Sequence, residues 1–398
     1  MPYSTSLRRI SRAAVITAAL LPAPSIAMAS EVSEMYARLY ERAYTLQQKQ
    51  EIMVAIEEQD DPDMAPFLVN ALDALVSSRL TVTGSTEKNL HTQLMRMVSK
   101  KLGELRARDA AALLYTVVKE AEDPVLKGEA LAALGSIGVG SYAEKIAVIL
   151  RDLNMNQGGN VQASETVASG CITALERLRE PVGFVPVFDA SVGWYSRRIK
   201  DAAGRAMTLM VDDPSEMLCG ILRNDASFYA MLRAVETAAA SSARPAGKTQ
   251  VAVTALRQAL LRGGRNPVED TLLSQIRTTA SVILRDQKAD SKEAVPMLQQ
   301  ILSLDTAGAG EKMTVLEALG ASGSDESAAV LISYLKWFND RKESDIQAKD
   351  DRLLRSTIQI LGDMKKRKAT EELLRVKTLG YSLGPLHDAE NALKKMGL

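Results

Sequence analysis

The clearest pattern of apolar and polar positions lies between residues 123 and 150. Asp123 precedes Pro124, and an aspartate that accepts free amide hydrogens, followed by a proline at the first helical position, is typical of a helix start. Apolar residues then recur at i, i+3, i+4 and i+7. They are Ala130, Ala133, Leu134 and Ile137 before the glycines at 135, 138 and 140 and, with the same spacing, Ala143, Ile146, Ala147 and Leu150. The segment therefore predicts a helix–turn–helix unit.

Parts of this unit recur elsewhere in the chain. Asp-Pro pairs stand at 61–62 and 213–214, and the Ala-Leu-Gly of 133–135 is echoed at 318–320, 360–362 and 392–397. Two short helices cannot bury their apolar faces alone, so repeated units of this kind stack on one another. The low aromatic content of 4% also favours closely packed helices over strands.

The unit resembles bacterial HEAT repeats, which belong to the armadillo-like group of helical repeats. The residues that carry the resemblance are Asp123, Pro124, Glu129, Ala130, Leu131, Ala133, Leu134, Gly135, Ile137 and Gly138. Further matches lie at 311–336 and 352–376, and the repeated leucines fit a period near roughly 37 residues. The resemblance implies an all-α, right-handed α-solenoid of HEAT-like helical hairpin repeats. It also implies a surface for other proteins, and it supplies no catalytic residue.

The first 29 residues have the features of an exported protein's leader. A basic start with Arg8, Arg9 and Arg12 is followed by an apolar run at 13–21 and by Ala-Met-Ala at 27–29. This order is typical of a secretory signal peptide, although a disordered tail is the alternative. We therefore expect cleavage of residues 1–29, a periplasmic location and a single solenoid at 30–398. Polar loops are predicted near 154–163 and 241–249.

Charge and cysteine content narrow the partners and the compartment chemistry. The chain has 49 basic and 49 acidic residues, so removal of the leader leaves a net charge of −3. This balance argues against a nucleic-acid partner, and no apolar segment after the leader is long enough to span a membrane. Cys171 and Cys219 lie among apolar helical residues, which favours two buried thiols over a disulfide bond between them.

No pattern of catalytic or ligand-binding residues stands out. His91 and His387 lack the spacing of metal ligands, and the acidic run at 57–63 does not match a calcium loop. The glycines at 135–140 follow no predicted strand, so an inter-helix turn is favoured over a nucleotide loop. We expect no catalytic residue, no cofactor and no metal site, and hence a protein that is not an enzyme.

Two segments are candidates for surface contacts. The first combines aromatic anchors with cations, a composition found in protein interfaces; its residues are Phe184, Phe188, Trp194, Tyr195, Arg197, Arg198 and Lys200. The alternative is that these rings pack between adjacent repeats. The second segment is basic and suits an anionic surface, unless it is a solvated turn; it comprises Lys365, Lys366, Arg367 and Lys368, with Lys394 and Lys395.

These observations favour one function over two others. The favoured hypothesis is an exported HEAT-repeat scaffold that binds another envelope protein through an extended concave surface, without catalysis. The first alternative is an enzyme or enzyme-accessory subunit with a site in the solenoid groove. The second is peripheral attachment to the envelope through the basic C-terminal segment. The oligomeric state and the identity of the partner stay open.

Overall fold

The computed structural model describes residues 30–224, 226–345 and 350–398. Within these ranges the chain forms helices and no β-strand. The predicted leader, residues 1–29, lies outside the described residues. The helices are α1 (Glu31–Arg42), α2 (Leu46–Glu57), α3 (Ala65–Ser78), α4 (Ser85–Glu104), α5 (Ala111–Glu120), α6 (Pro124–Ile137), α7 (Ala143–Met155), α8 (Val161–Leu178), α9 (Phe184–Val192), α10 (Arg197–Met210), α11 (Ser215–Arg223), α12 (Phe228–Ala240), α13 (Pro245–Leu261), α14 (Pro267–Asp286), α15 (Ala294–Ser303), α16 (Ala309–Ser322), α17 (Asp325–Glu343), α18 (Asp351–Met364), α19 (Thr370–Thr378) and α20 (Leu383–Lys395).

The helices form two layers. Even-numbered helices from α2 to α20 pack against one another in chain order, and odd-numbered helices lie beside them. Helices α11, α13, α15, α17 and α19 likewise contact one another in order. Apolar side chains from both layers meet in one continuous core that runs from α1 to the end of the chain. The predicted all-α solenoid of HEAT-like hairpins is therefore confirmed.

The α6–α7 hairpin shows why the sequence folds into this unit. The Asp123 side chain accepts a hydrogen bond from the Leu126 amide at 2.6 Å, and Pro124 occupies the first helical position. Gly138 ends α6 in the left-handed conformation, with φ of 75°. Both sets of apolar residues predicted for this hairpin are buried. Local capping and the apolar pattern therefore agree on the same boundaries.

The same turn recurs through the solenoid, although glycine often does not form it. A left-handed residue stands four positions after a buried leucine in seven helices. The pairs are Leu102 with Arg106, Leu134 with Gly138, Leu175 with Arg179, Leu284 with Lys288, Leu319 with Gly323, Leu361 with Lys365 and Leu393 with Gly397. Arginine or lysine thus occupies a turn position at which glycine is the commonest residue.

Small residues allow neighbouring even-numbered helices to approach closely. A methyl group added at Gly103 would lie 2.7 Å from Ala133 Cα, and one added at Gly135 would lie 2.5 Å from Ala174 Cα. Gly362 has the same relation to Ala392, at 2.8 Å. The glycine that follows the buried leucine of one helix therefore packs on the alanine that precedes the corresponding leucine of the next helix in the layer.

Ion pairs connect successive repeats across the same layer. The Arg277 guanidinium donates to both carboxylate oxygens of Glu311, at 2.5 and 3.3 Å, and both side chains are buried. The Ser274 hydroxyl completes this cluster with a 2.6 Å hydrogen bond to Glu311. The pair connects α14 to α16. Because both charges are buried, removal of one partner alone leaves an unpaired buried charge and is costly.

The two-layer stack is least continuous between α10 and α12. These helices share only a sparse interface, whereas α6 and α8, or α14 and α16, are in extensive contact. The guanidinium of Arg233 in α12 lies against Gly204 in α10 and fills the space that a side chain at position 204 would occupy. A long polar side chain therefore replaces the close backbone contact seen elsewhere in this layer.

Some predicted details differ from the structure. The loop near 154–163 contains only five residues outside helices, 156–160, and the loop near 241–249 contains only residues 241–244. Pro245 begins α13, because a proline is well accommodated at the first helical position. Cys171 in α8 and Cys219 in α11 are buried and free, which is the arrangement favoured from the sequence. Burial raises the pKa of the Cys171 thiol.

Candidate functional site

The aromatic residues of the predicted contact segment at 184–200 lie mostly inside the protein. Phe184, Phe188 and Tyr195 are buried, and Trp194 is half-buried. Trp194 stacks on Tyr195 with ring centroids 4.0 Å apart and donates its indole hydrogen to the Leu153 carbonyl at 3.1 Å. These rings therefore pack between adjacent repeats, which was the alternative to a contact surface.

The cations of that segment have a different environment. Arg197 and Arg198 are exposed at the start of α10, and Lys200 is half-buried. Arg197 lies 3.6 Å from the Asp201 carboxylate on the same helix face. The structure thus separates the two halves of the predicted site, with rings in the core and arginines at the surface. The exposed part of this segment therefore consists mainly of the arginines, with Trp194 half-buried beside them.

The basic C-terminal segment is partly neutralised by its own chain. Lys366 lies 2.5 Å from the Asp325 carboxylate, and Lys395 lies 2.5 Å from that of Asp363. The pKa of Asp325 is lowered, chiefly by its hydrogen bond with Lys366. Lys365 forms the left-handed turn after α18 and is exposed. This arrangement resembles a solvated turn more than a continuous cationic surface.

A groove of about 800 Å³ lies between the α15–α16 connection, α17 and the start of α18. We call it the aromatic groove, and its principal residues are Leu302, Lys312, Tyr334, Trp337, Phe338, Arg341 and Leu353. Four of them share one face of α17 because they recur at i, i+3, i+4 and i+7. Trp337 is 47% exposed, an unusual exposure for so large an apolar side chain.

The aromatic groove has a defined internal geometry. The Tyr334 and Trp337 rings are nearly parallel, at 2° and 5.8 Å between centroids, and Phe338 meets both edge-on at 5.1 and 5.0 Å. The Arg341 guanidinium lies 5.0 Å from the Trp337 ring centroid. Burial, aided by Asp350, raises the pKa of Tyr334 to about 12, so its hydroxyl stays protonated at neutral pH.

Arg341 has hydrogen-bonding capacity that the described residues do not use. Its Nε is buried and has no hydrogen-bond partner in the described part of the chain. A guanidinium in this position favours a carbonyl or carboxylate oxygen as a partner. The aromatic groove therefore combines apolar rings with a guanidinium that has no ion pair among the described residues.

Sequence reasoning missed this groove. The signal was Tyr-x-x-Trp-Phe-x-x-Arg over residues 334–341, which places four suitable side chains on one helix face. The segment 184–200 has more aromatic residues than 334–341, and composition therefore favoured it as the contact segment. Periodicity gives the face a residue occupies, but it does not tell which faces the neighbouring repeats will cover.

A second groove, of about 970 Å³, crosses the C-terminal ends of α4, α6 and α8. We call it the charged groove. Its floor contains the closely packed Gly103, Ala133 and Gly135, and charged side chains form its walls. The cations are Lys100, Arg106, Arg108, Arg177 and Arg179, and the acids are Glu104, Glu129 and Glu176.

Other candidate sites are accounted for by packing. His91 is buried, with its Nε2 3.0 Å from the Leu75 carbonyl and 3.3 Å from the Ser78 hydroxyl, and burial lowers its pKa. His387 is exposed. Among the described residues, no cluster of three or more His, Cys, Asp or Glu side chains is arranged to hold a metal ion.

None of the helices in the described ranges has the length and apolar character needed to cross a membrane.

Comparison with known proteins gives limited guidance. No protein-family model matches the sequence, and no curated protein is significantly similar to it. Similar solved structures include an engineered protein, at 11% identity over 93% of this chain and 100% of that chain with a TM-score of 0.37. Human deoxyhypusine hydroxylase is similar at 18% identity over 84% and 95% of the two chains, with a TM-score of 0.26. A third structure, from work on the interaction between cadherin and beta-catenin, has 12% identity, coverage of 93% and 97%, and a TM-score of 0.31. TM-scores this low carry no information about function.

Proposed function

We propose that the protein is an exported, non-catalytic scaffold that binds another protein of the cell envelope, with the aromatic groove as its anchor site. The observation that carries the proposal is the half-exposed Trp337 beside Arg341, whose Nε lacks a partner among the described residues. Tryptophan, tyrosine and arginine are the residues that most often dominate binding energy at protein interfaces. A stacked helical array presents such anchors on an extended surface.

The chemistry of the groove suits a polypeptide ligand. The half-exposed Trp337 and the half-buried Tyr334, with the buried Phe338 packed behind them, offer a surface for one apolar side chain. Arg341 can donate to a backbone carbonyl or a carboxylate next to it. Lys312 and Asp305 at the rim can bind further polar groups of the ligand. Affinity then depends on a few anchors rather than on total buried area.

The proposed location depends on the leader sequence. Basic residues, an apolar run and a small-residue cleavage site occur in the required order within residues 1–29. We propose cleavage before Ser30 and residence in the periplasm. Fractionation of cells that produce the full chain tests this part, with the mature form expected in the periplasmic fraction. An uncleaved form in the cytosol would contradict it.

Site-specific photo-crosslinking in the native envelope tests the anchor site. A photoreactive phenylalanine analogue at position 337 is expected to yield a discrete adduct with one exported protein. Tyr229 in α12 is the matched control, because it is also aromatic and also 47% exposed. Adding Arg341→Gln should abolish the adduct at position 337 while leaving the circular dichroism spectrum unchanged. Equal adducts at positions 337 and 229, or insensitivity to Arg341→Gln, would refute the assignment.

A further inference from the structure

We propose that the charged groove binds an extended acidic polypeptide segment. This site is formed by α4, α6 and α8, whereas the aromatic groove is formed by helices near the other end of the chain. The inference does not depend on the aromatic groove, so each site can be tested and can fail separately. Its occupant is a short, extended stretch of chain with carboxylates near both ends.

The first argument is the balance of engaged and free charges. The Glu129 carboxylate accepts hydrogen bonds from Arg96 at 3.1 and 3.0 Å, and Glu104 is paired with Lys101 at 3.3 Å. By contrast, three arginines of the groove form neither an ion pair nor a side-chain hydrogen bond with any residue that the structure describes: Arg106, Arg108 and Arg179. Arg177 donates to the Ala132 carbonyl and the Ser136 hydroxyl and likewise forms no ion pair with a described residue. Glu176 is the one groove carboxylate without an ion pair to a described residue, so the unneutralised charge of the groove is positive and favours an anionic ligand.

The second argument is the position of two of these arginines. Arg106 and Arg179 occupy the left-handed turn after α4 and α8, and Gly138 occupies the equivalent turn after α6 between them. The absence of a side chain at Gly138 leaves the space between the two arginines open. Packed helices lie about 8–10 Å apart, and α4, α6 and α8 approach closely, so the two turns are separated by roughly 16 Å.

This separation determines the size of the ligand. An extended chain advances about 3.3 Å per residue, so five to six residues span the distance between the two arginine turns. A single small anion is much shorter than this separation. A segment with acidic side chains five positions apart reaches both, and each contact is a charge-assisted hydrogen bond.

The third argument favours a polypeptide over other polyanions as the ligand of the charged groove. Glu176 and the Ser136 hydroxyl lie inside the groove, and no aromatic residue lines it for base stacking. A continuous row of phosphates would meet the Glu176 carboxylate at close range, whereas backbone amides of a peptide can donate to it. The mixed lining therefore suits a chain that carries both donors and carboxylates.

Fluorescence anisotropy with the purified protein tests the proposal. The probe is an end-blocked hexapeptide with glutamate at its first and sixth positions and serine between them. Binding is expected to weaken at least tenfold when both glutamates are replaced by glutamine, and also when the two glutamates are placed side by side. Binding should also weaken as ionic strength rises.

A double variant with a matched control assigns the binding to the groove. Arg106→Gly with Arg179→Gly removes two charges at turns where glycine is well tolerated, and should weaken binding at least tenfold. Lys288→Gly with Lys365→Gly removes the same charge from equivalent turns in other repeats, and should change affinity less than twofold. Equal losses in the two variants, no binding by the wild-type protein, or tighter binding to polyphosphate or to phosphatidylglycerol vesicles would overturn the proposal.

Discussion

The close approach of α6 and α8 makes a quantitative prediction about Gly135→Ala. The added methyl group would lie 2.5 Å from Ala174 Cα, which belongs to the backbone of α8 and cannot rotate away. Carbon atoms in contact prefer about 3.5–4.0 Å, so the helices must separate by about 1 Å. Overpacking of this kind costs about 1–3 kcal/mol, and the better helix propensity of alanine offsets roughly 0.5–1 kcal/mol of that. We expect a net loss of about 0–2.5 kcal/mol, against the gain expected for a glycine with free space around it.

Gly220→Ala is the matched control for this prediction. Gly220 also lies inside a helix, α11, but a methyl group added there meets no atom within 4 Å. The variant should therefore gain roughly 0.5–1 kcal/mol from helix propensity alone. Urea unfolding of both variants gives the comparison, and hydrogen exchange in α6 and α8 locates the loss. If Gly135→Ala and Gly220→Ala prove equally stable, the result contradicts the close contact between α6 and α8 at Gly135.

Three further predictions follow from buried groups. Glu311→Gln should cost about 3–5 kcal/mol in urea unfolding, because it leaves the buried Arg277 charge without its counter-ion. The free energy of unfolding should decrease as pH falls below the ordinary histidine pKa of about 6.5, because the lowered pKa of His91 lets the unfolded chain bind a proton more readily than the folded one. The slope reaches at most about 1.4 kcal/mol per pH unit from this group. Trp194→Ala should cost about 3 kcal/mol, and Trp337→Ala only about 1 kcal/mol, because Trp194 is packed and hydrogen-bonded whereas Trp337 is half-exposed.

Each of these three has a control. The double variant Arg277→Met with Glu311→Leu should recover most of the loss, since no unpaired charge remains buried. His91→Gln should remove part of the pH dependence of the free energy of unfolding. Equal losses for the two tryptophan variants would contradict the placement of one ring inside the core and the other in the aromatic groove.

Much of the fold was accessible from the sequence because local and tertiary signals agree. Asp123, Pro124 and Gly138 determine where α6 begins and ends, and the apolar spacing determines which face is buried. The number and spacing of repeats were harder to read. Left-handed turns are formed by arginine or lysine at several positions, such as Arg179 and Lys365, so a search for glycine finds only part of the series. The intervals between these turns are also unequal.

The candidate site could be predicted only in part. Composition pointed to aromatic and arginine clusters as anchors, and two such clusters exist, at 184–200 and at 334–341. Which cluster reaches the surface depends on the neighbouring helices: the shell around α9 buries Phe184 and Phe188, while α17 leaves Trp337 half-exposed. That outcome is a property of the assembled stack and is not contained in either segment alone.

The sparse junction between α10 and α12 lies between the two grooves along the chain. The charged groove belongs to the arm that precedes this junction, and the aromatic groove belongs to the arm that follows it. Bending costs least where few atoms are in contact, so we expect a change in the angle between α1–α10 and α12–α20 to occur at this junction, near the Arg233 side chain. A partner long enough to occupy both grooves would therefore fix that angle, and in doing so would set the curvature of the whole molecule.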